Sequence, residues 1–155
     1  PIGAADGLIK ELDGAKKSIR IMAYGFTSLG LSKALARAKH RGVLVELIQD
    51  ARSAQSNRGA VAPLIAAGVE VRSDAQHAIA HNKVMIIDDE IVITGSYNYT
   101  VSAEKRNAEN FIVLKSNYAV KRYFENWKSH WTHSLSVTDL PLSGCKNRIN
   151  IAEFS

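Results

Sequence analysis

The sequence predicts an α/β domain with a mixed, mainly parallel β-sheet sandwiched by helices. Apolar residues recur at helical spacing in two early segments, short apolar runs of strand length alternate with them, and two further runs flank the polar break Asp88-Asp89-Glu90. Elements in that alternation bury a sheet between helices. At 155 residues the chain has the length of one domain with a real core.

Ala5, Leu8, Ile9 and Leu12 share one helical face, and this helix gives way near Gly14 to an apolar strand from Ile19 to Tyr24. Leu31, Ala34, Leu35 and Ala38 repeat the pattern. That second helix ends at Lys39-His40-Arg41-Gly42, where basic residues oppose the carbonyl end of the helix dipole and a glycine follows. A strand from Val43 to Gln49 comes next, then a polar loop from Asp50 to Asn57, then a short helix through Val61, Leu64 and Ile65 that Gly68 stops. Val69 to Arg72 forms a short strand. Val84 to Ile87 and Ile91 to Ile93 form a hairpin about the polar break, Glu109 to Leu114 a further strand, and Tyr118 to His133 a terminal helix. The domain is therefore expected over residues 1–133. The tail, 134–155, lacks a helical period; a short strand at Arg148 to Ile151 is conceivable, and the tail either wraps over the domain or hangs free.

The chemistry concentrates in the hairpin. It reads His81-x-Lys83, four residues, Asp88, six residues, Gly95-Ser96-x-Asn98. Residues two apart in a strand project to one face, so an extended His81–Ile87 puts His81 and Lys83 side by side, and the same parity pairs Ser96 with Asn98 on the second strand. An imidazole titrates near neutral pH and can attack phosphorus or deliver a proton. Lys83 supplies a point charge for anionic oxygens, and Ser96 and Asn98 supply neutral donors that strengthen as charge shifts in a transition state. Gly95 permits a close backbone approach. Asp88 has the opposite parity to His81 and sits at the turn, which makes it a supporting residue.

This spacing resembles the HKD motif of the phospholipase D superfamily, with every defined position filled. The segments Ser18 to Thr27 and Asn107-Ala108-Glu109-Asn110 are similar to flanking segments of the small bacterial endonucleases of that superfamily, and the resemblance spans roughly residues 4–133. It implies that Glu109 orients the nucleophilic histidine by accepting a hydrogen bond from its Nδ1. It also implies two motifs per active site; with a single copy in this chain, a symmetric homodimer with the site at its interface follows. In that scheme one His81 forms a phosphohistidine, the other protonates the leaving oxygen, and neither a metal nor another cofactor takes part. The substrate expected is DNA, with RNA as an option, cut with little sequence preference. A phospholipase or cardiolipin hydrolase, or a non-catalytic nucleic-acid-binding dimer, are the alternatives.

Charge agrees with a polyanionic partner without demanding one: 20 Lys plus Arg stand against 15 Asp plus Glu, a net of +5. Lys105 and Arg106, between Asn98 and Glu109, are the first candidates for substrate contacts, followed by Arg52 and Arg58 in the polar loop. Lys16, Lys17 and Arg20, and Lys121 with Arg122, read as solvated faces. Cys145 is the single cysteine, so no intrachain disulfide or cysteine-based zinc site is expected. No apolar run reaches 18 residues, and stable membrane insertion is not expected. Small endonucleases of this kind are often exported and the chain starts at Pro1, which is compatible with removal of a leader and a periplasmic location.

Three further groupings have a simpler reading. Tyr123, Phe124, Trp127 and Trp131 have the spacing of a base-stacking platform or of a core stripe, and helical period favours the stripe. His77 and His81 are four apart, as helical metal ligands are, but the strand-like run after them argues against a helix. His130 and His133 read as favourable charge at a helix C-terminus. The sequence-level expectation is thus no metal site.

Overall fold

The computed structural model describes residues 3–139. Its elements in chain order are α1 (Ala4–Gly14), β1 (Ser18–Ala23), α2 (Leu29–His40), β2 (Leu44–Asp50), α3 (Ala54–Ala66), β3 (Glu70–Asp74), β4 (Lys83–Ile87), β5 (Ile91–Gly95), α4 (Val101–Arg106), β6 (Phe111–Lys115), α5 (Asn117–His133) and β7 (Leu135–Ser136). One seven-stranded sheet runs β6-β5-β4-β1-β2-β3-β7. It is mixed, as expected, but not mainly parallel. Only β1–β2 and β2–β3 are parallel, whereas β1–β4, β4–β5, β5–β6 and β3–β7 are antiparallel. Helices α2 and α3 make the crossovers between the three parallel strands, β4 and β5 form a hairpin, and α5 carries the chain from β6 at one edge to β7 at the other.

Alternation along the strands sorts two cores. Ile19, Ile21, Val45, Leu47, Met85 and Ile93 face α1, α2 and α3, with Leu8, Leu12, Leu31 and Leu35 from the helices. Met22, Ile48, Val84, Ile86 and Val92 face α5, which contributes Val120 and Trp127. Each of the central strands is thereby covered on both faces, which explains why they read as nearly continuous apolar runs. The aromatic stripe of α5 is packed as expected: Phe124 and Trp131 also join this core, and Trp127 Nε1 donates to the Ile21 carbonyl at 3.3 Å. Arg20 belongs to this layer and not to a solvated basic face. Its guanidinium lies 4.7 Å from the centroid of Phe124 and pairs with Glu46 and Asp89.

Several boundaries move. The helix expected to begin after Asn57 starts at Ala54, so Arg58 is helical and only Arg52 remains in a turn. Asp50 provides the start that a string of polar residues concealed: its carboxylate accepts the Ser53 N–H and hydroxyl. The strand expected from Glu109 begins at Phe111. Helix α4, too short for a periodic signal, and β7, the start of the region read as a tail, were not foreseen; β7 pairs with β3. The strand considered at Arg148 to Ile151 lies outside the described residues.

The β4–β5 turn holds Asp88 and Asp89 at φ values of 56° and 55°, closed by the Glu90 N–H on the Ile87 carbonyl. Left-handed backbone costs a non-glycine residue about 1 kcal/mol or more. Asp88 offsets that cost by accepting backbone N–H groups of Lys16, Lys17 and Ser18 on its carboxylate, at 2.6–3.1 Å, while its own N–H donates to the Ser18 carbonyl. The motif aspartate therefore ties the α1–β1 junction to the hairpin. Partial burial raises its pKa, but the three N–H donors outweigh it and hold Asp88 below the usual carboxylate range. A depressed pKa contributes stability above the ordinary value, lost as pH falls through the folded one. Asp88→Asn should cost about 1–2 kcal/mol at pH 7, and the gap to wild type should narrow as pH falls from roughly 4 and close only below the depressed folded pKa. Urea melts across this pH range test this; a gap independent of pH would refute it.

Candidate active site

The carboxyl end of β1 and β2, and the amino end of the antiparallel β4, share one end of the sheet. There His81, Asn82, Lys83, Val84, Thr94, Gly95, Ser96, Asn98 and Tyr123 line an open cleft of about 440 Å³. Ligands of open α/β sheets commonly bind at such strand ends.

His81 sits two residues ahead of β4, not within it, and its position is fixed from both sides. The Ala80 N–H donates to buried Asp50 at 2.8 Å, and the Asn82 carbonyl accepts the Tyr24 N–H at 2.9 Å. The exposed imidazole packs edge-on against Tyr24, ring centroids 4.8 Å apart. Lys83 Nζ donates to the His81 carbonyl at 2.9 Å and lies 5.7 Å from the centroid of the Tyr24 ring. Burial lowers the Lys83 pKa, partly countered by the Glu109 charge.

Ser96 and Asn98 follow β5 in irregular chain and not on the strand, yet both line the cleft. The Ser96 hydroxyl donates to Glu109 and accepts the Asn110 N–H, and the Ser96 N–H donates to the Asn110 carbonyl. This pairing needs Gly95: a Cβ there would strike the Asn110 carbonyl oxygen and come within 2.6 Å of Phe111 Cα. Asn98 Oδ1 is buried with no hydrogen-bond partner among the described residues. Buried polar atoms are seldom left so, and the amide nitrogen is the atom of this side chain able to donate to an anionic ligand.

The structure gives Glu109 other partners than expected. Its carboxylate accepts Ser96 Oγ and, at 2.9 Å, Asn107 Nδ2, and these bonds hold its pKa low. Within the chain it orients the serine, and no hydrogen bond joins it to His81. Lys105 and Arg106 end α4 and are exposed; Arg52 follows the carboxyl end of β2 and is exposed, as is Arg58 in α3. None of the four lines the cleft.

Sequence reading missed three contributors. Tyr123 packs with the aromatic stripe and also forms one wall of the cleft. Asp50 pins the residue before His81. Asn57, fully buried, accepts the Phe26 N–H at 2.8 Å and donates to the Tyr24 carbonyl and to Gln49, whose amide reaches Ser73. An uncharged polar residue amid a presumed loop gave no signal of such a role.

An imidazole, an ammonium, a hydroxyl and an amide around one open cleft suit a phosphate group, while a lining free of carboxylates is a poor donor set for Mg²⁺. Fold and cleft together define a phospholipase D-like domain. The family described as cardiolipin synthase, PLD-like domain, matches residues 8–131, and the chain belongs to it. It is 39% identical over 137 residues to phospholipase D of Rickettsia prowazekii (strain Madrid E), covering 88% of this chain and 67% of that one. It is 33% identical over 124 residues to the mitochondrial cardiolipin hydrolase of Xenopus laevis, covering 80% and 59%. Among solved structures, Nuc from Salmonella typhimurium, a phospholipase D family member, superposes with a TM-score of 0.83 at 36% identity over 88% of this chain and 92% of that one. The chain spans about two thirds of the Rickettsia protein and less of the Xenopus one. Among the described residues no helix is long and apolar enough to cross a membrane.

Proposed function

We propose that the chain is a metal-independent phosphodiesterase, an endonuclease that cuts DNA, or RNA, with little sequence preference as a homodimer. The observation that carries this reading is the cleft itself, which gathers His81, Lys83, Ser96 and Asn98 but contains one imidazole where the chemistry needs two. Neutral His81 attacks phosphorus; the N–P bond forms as the P–O ester bond breaks. The departing oxygen takes a proton from the protonated His81 of the partner subunit. Water then attacks, giving its proton to that second imidazole, and the N–P bond breaks. Lys83 and Asn98 hold the phosphate oxygens, and Ser96, set by Glu109, adds a donor. Opposite protonation states in one pair predict a bell-shaped pH–rate profile.

A second copy also fits the surface. Ile112 and Val113 on the edge strand β6 and Tyr118 at the start of α5 remain 48%, 39% and 76% exposed, and Ile112 is the register partner of Thr94 in the cleft wall. Apolar side chains on an open sheet edge are what a partner subunit covers. Nucleic acid is favoured over lipid by the net charge of +5, with Arg52, Arg58, Lys105 and Arg106 as backbone contacts. The names of the Rickettsia and Xenopus relatives make lipid the rival substrate.

The test offers one preparation single-stranded DNA, duplex DNA, RNA and cardiolipin vesicles in excess EDTA, beside His81→Ala. Nucleic-acid cleavage that persists with chelator and vanishes in the variant is expected. Lipid turnover without nucleic-acid cleavage would replace the substrate assignment, and activity restored only by Mg²⁺ would overturn the mechanism.

A further inference from the structure

We propose that Asp74, His77, His130 and His133 form a structural Zn²⁺ site, distinct from the phosphate cleft. The residues come from the last position of β3, the loop after it, and the final turn of α5. One ligand atom from each residue lies within 4.8 Å of all the others. The three ring nitrogens stand 3.0, 2.7 and 3.0 Å from the single oxygen Asp74 Oδ2.

That arrangement is crowded as a hydrogen-bond cluster. A carboxylate oxygen has two lone pairs, whereas three imidazoles converge on this one, and the other oxygen, Oδ1, already accepts the Gln76 N–H at 3.0 Å. A cation in the centre resolves the crowding by taking one lone pair from each nitrogen and one from Oδ2. Zinc–nitrogen and zinc–oxygen bonds of about 2.0–2.2 Å put tetrahedral ligands roughly 3.3–3.5 Å apart, between the nitrogen–oxygen separations of 2.7–3.0 Å and the 4.8 Å span of the cluster. Three imidazoles and a carboxylate select Zn²⁺ over the hard cations Mg²⁺ and Ca²⁺ and complete a closed four-coordinate shell. The Gln76 N–H is the outer contact that orients the ligating carboxylate. Asp74 is fully buried, and His130 and His133 are 13% and 20% exposed; His77, at 45%, leaves a route for the ion.

The consequence is local. His77 lies four residues before His81, and a metal holding it against α5 clamps the loop that delivers the cleft imidazole to the helix that supplies Tyr123. None of the four ligands lines the cleft, so the site stands whatever substrate the cleft takes.

The experiment uses the untagged 155-residue chain, stripped with a strong chelator, desalted and titrated with Zn²⁺ or Co²⁺. One equivalent of zinc per chain is expected by elemental analysis, with visible ligand-field bands of four-coordinate cobalt and a melting temperature several degrees higher on zinc addition. His77→Ala, at an exposed position, should weaken zinc binding at least about tenfold while the apo melting temperature stays unchanged, and His130→Ala/His133→Ala should abolish binding. Turnover of the stripped protein well below its melting temperature should stay within about threefold of the zinc form, since no ligand touches the phosphate. Failure of the stripped wild type to take up one equivalent, or undiminished uptake by the double variant, would overturn the site. Loss of turnover restored by zinc but not magnesium would make the metal essential to loop position and overturn its purely structural role. Mg²⁺-dependent recovery would instead strike the proposed cleavage mechanism.

Discussion

Mixing His81→Ala subunits with wild-type chains should depress phosphodiesterase activity more steeply than the wild-type fraction falls. If each site needs an imidazole from both subunits, a random mixture holds active dimers in proportion to the square of that fraction. An equal mixture then retains about a quarter of the activity, against about a half for independent sites. Pure His81→Ala should lose at least about four orders of magnitude in kcat, because nucleophile and acid disappear together. KM should change little, since Lys83, Ser96 and Asn98 still hold the phosphate. A subunit-exchange series read by turnover decides the matter: a straight line against wild-type fraction rules out the shared site.

Asn57→Ala should be the most destabilising substitution outside the apolar core. It strips partners from the Phe26 N–H, the Tyr24 carbonyl and Gln49 at once, in a site closed to water. Removing one partner from buried polar groups costs about 1–3 kcal/mol for each group left unsatisfied, and a network loses cooperatively. A loss of about 2–4 kcal/mol is expected, lowering the melting temperature by roughly 5–15 °C. Tyr24 packs on His81 and its N–H holds the Asn82 carbonyl, so kcat should fall as well, well below the melting range. An unchanged melting temperature would show that the amide network carries no weight.

The sequence by itself determined the hairpin, its motif and most strands, because those depend on local rules. Side-chain parity from His81 to Asn98 works within two consecutive apolar runs, and a period of two or 3.6 needs only neighbours in the chain. Even there the side chains come together for another reason: His81, Ser96 and Asn98 lie beyond the strand ends, where Asp50 accepts the Ala80 N–H, Asn110 pairs with Ser96, and the Gly25 carbonyl accepts the Tyr99 N–H. Other features were decided by tertiary structure alone. The choice of Ser96 for Glu109, the three backbone N–H groups gathered by Asp88, the placing of Asn57 beneath Tyr24 and the meeting of Asp74 and His77 with His130 and His133 all join residues far apart in the chain. A side chain advertises its donors and acceptors in the sequence but not their partners. Sheet order and the packing of α3 and α5 bring those partners within reach, and no local period encodes that proximity.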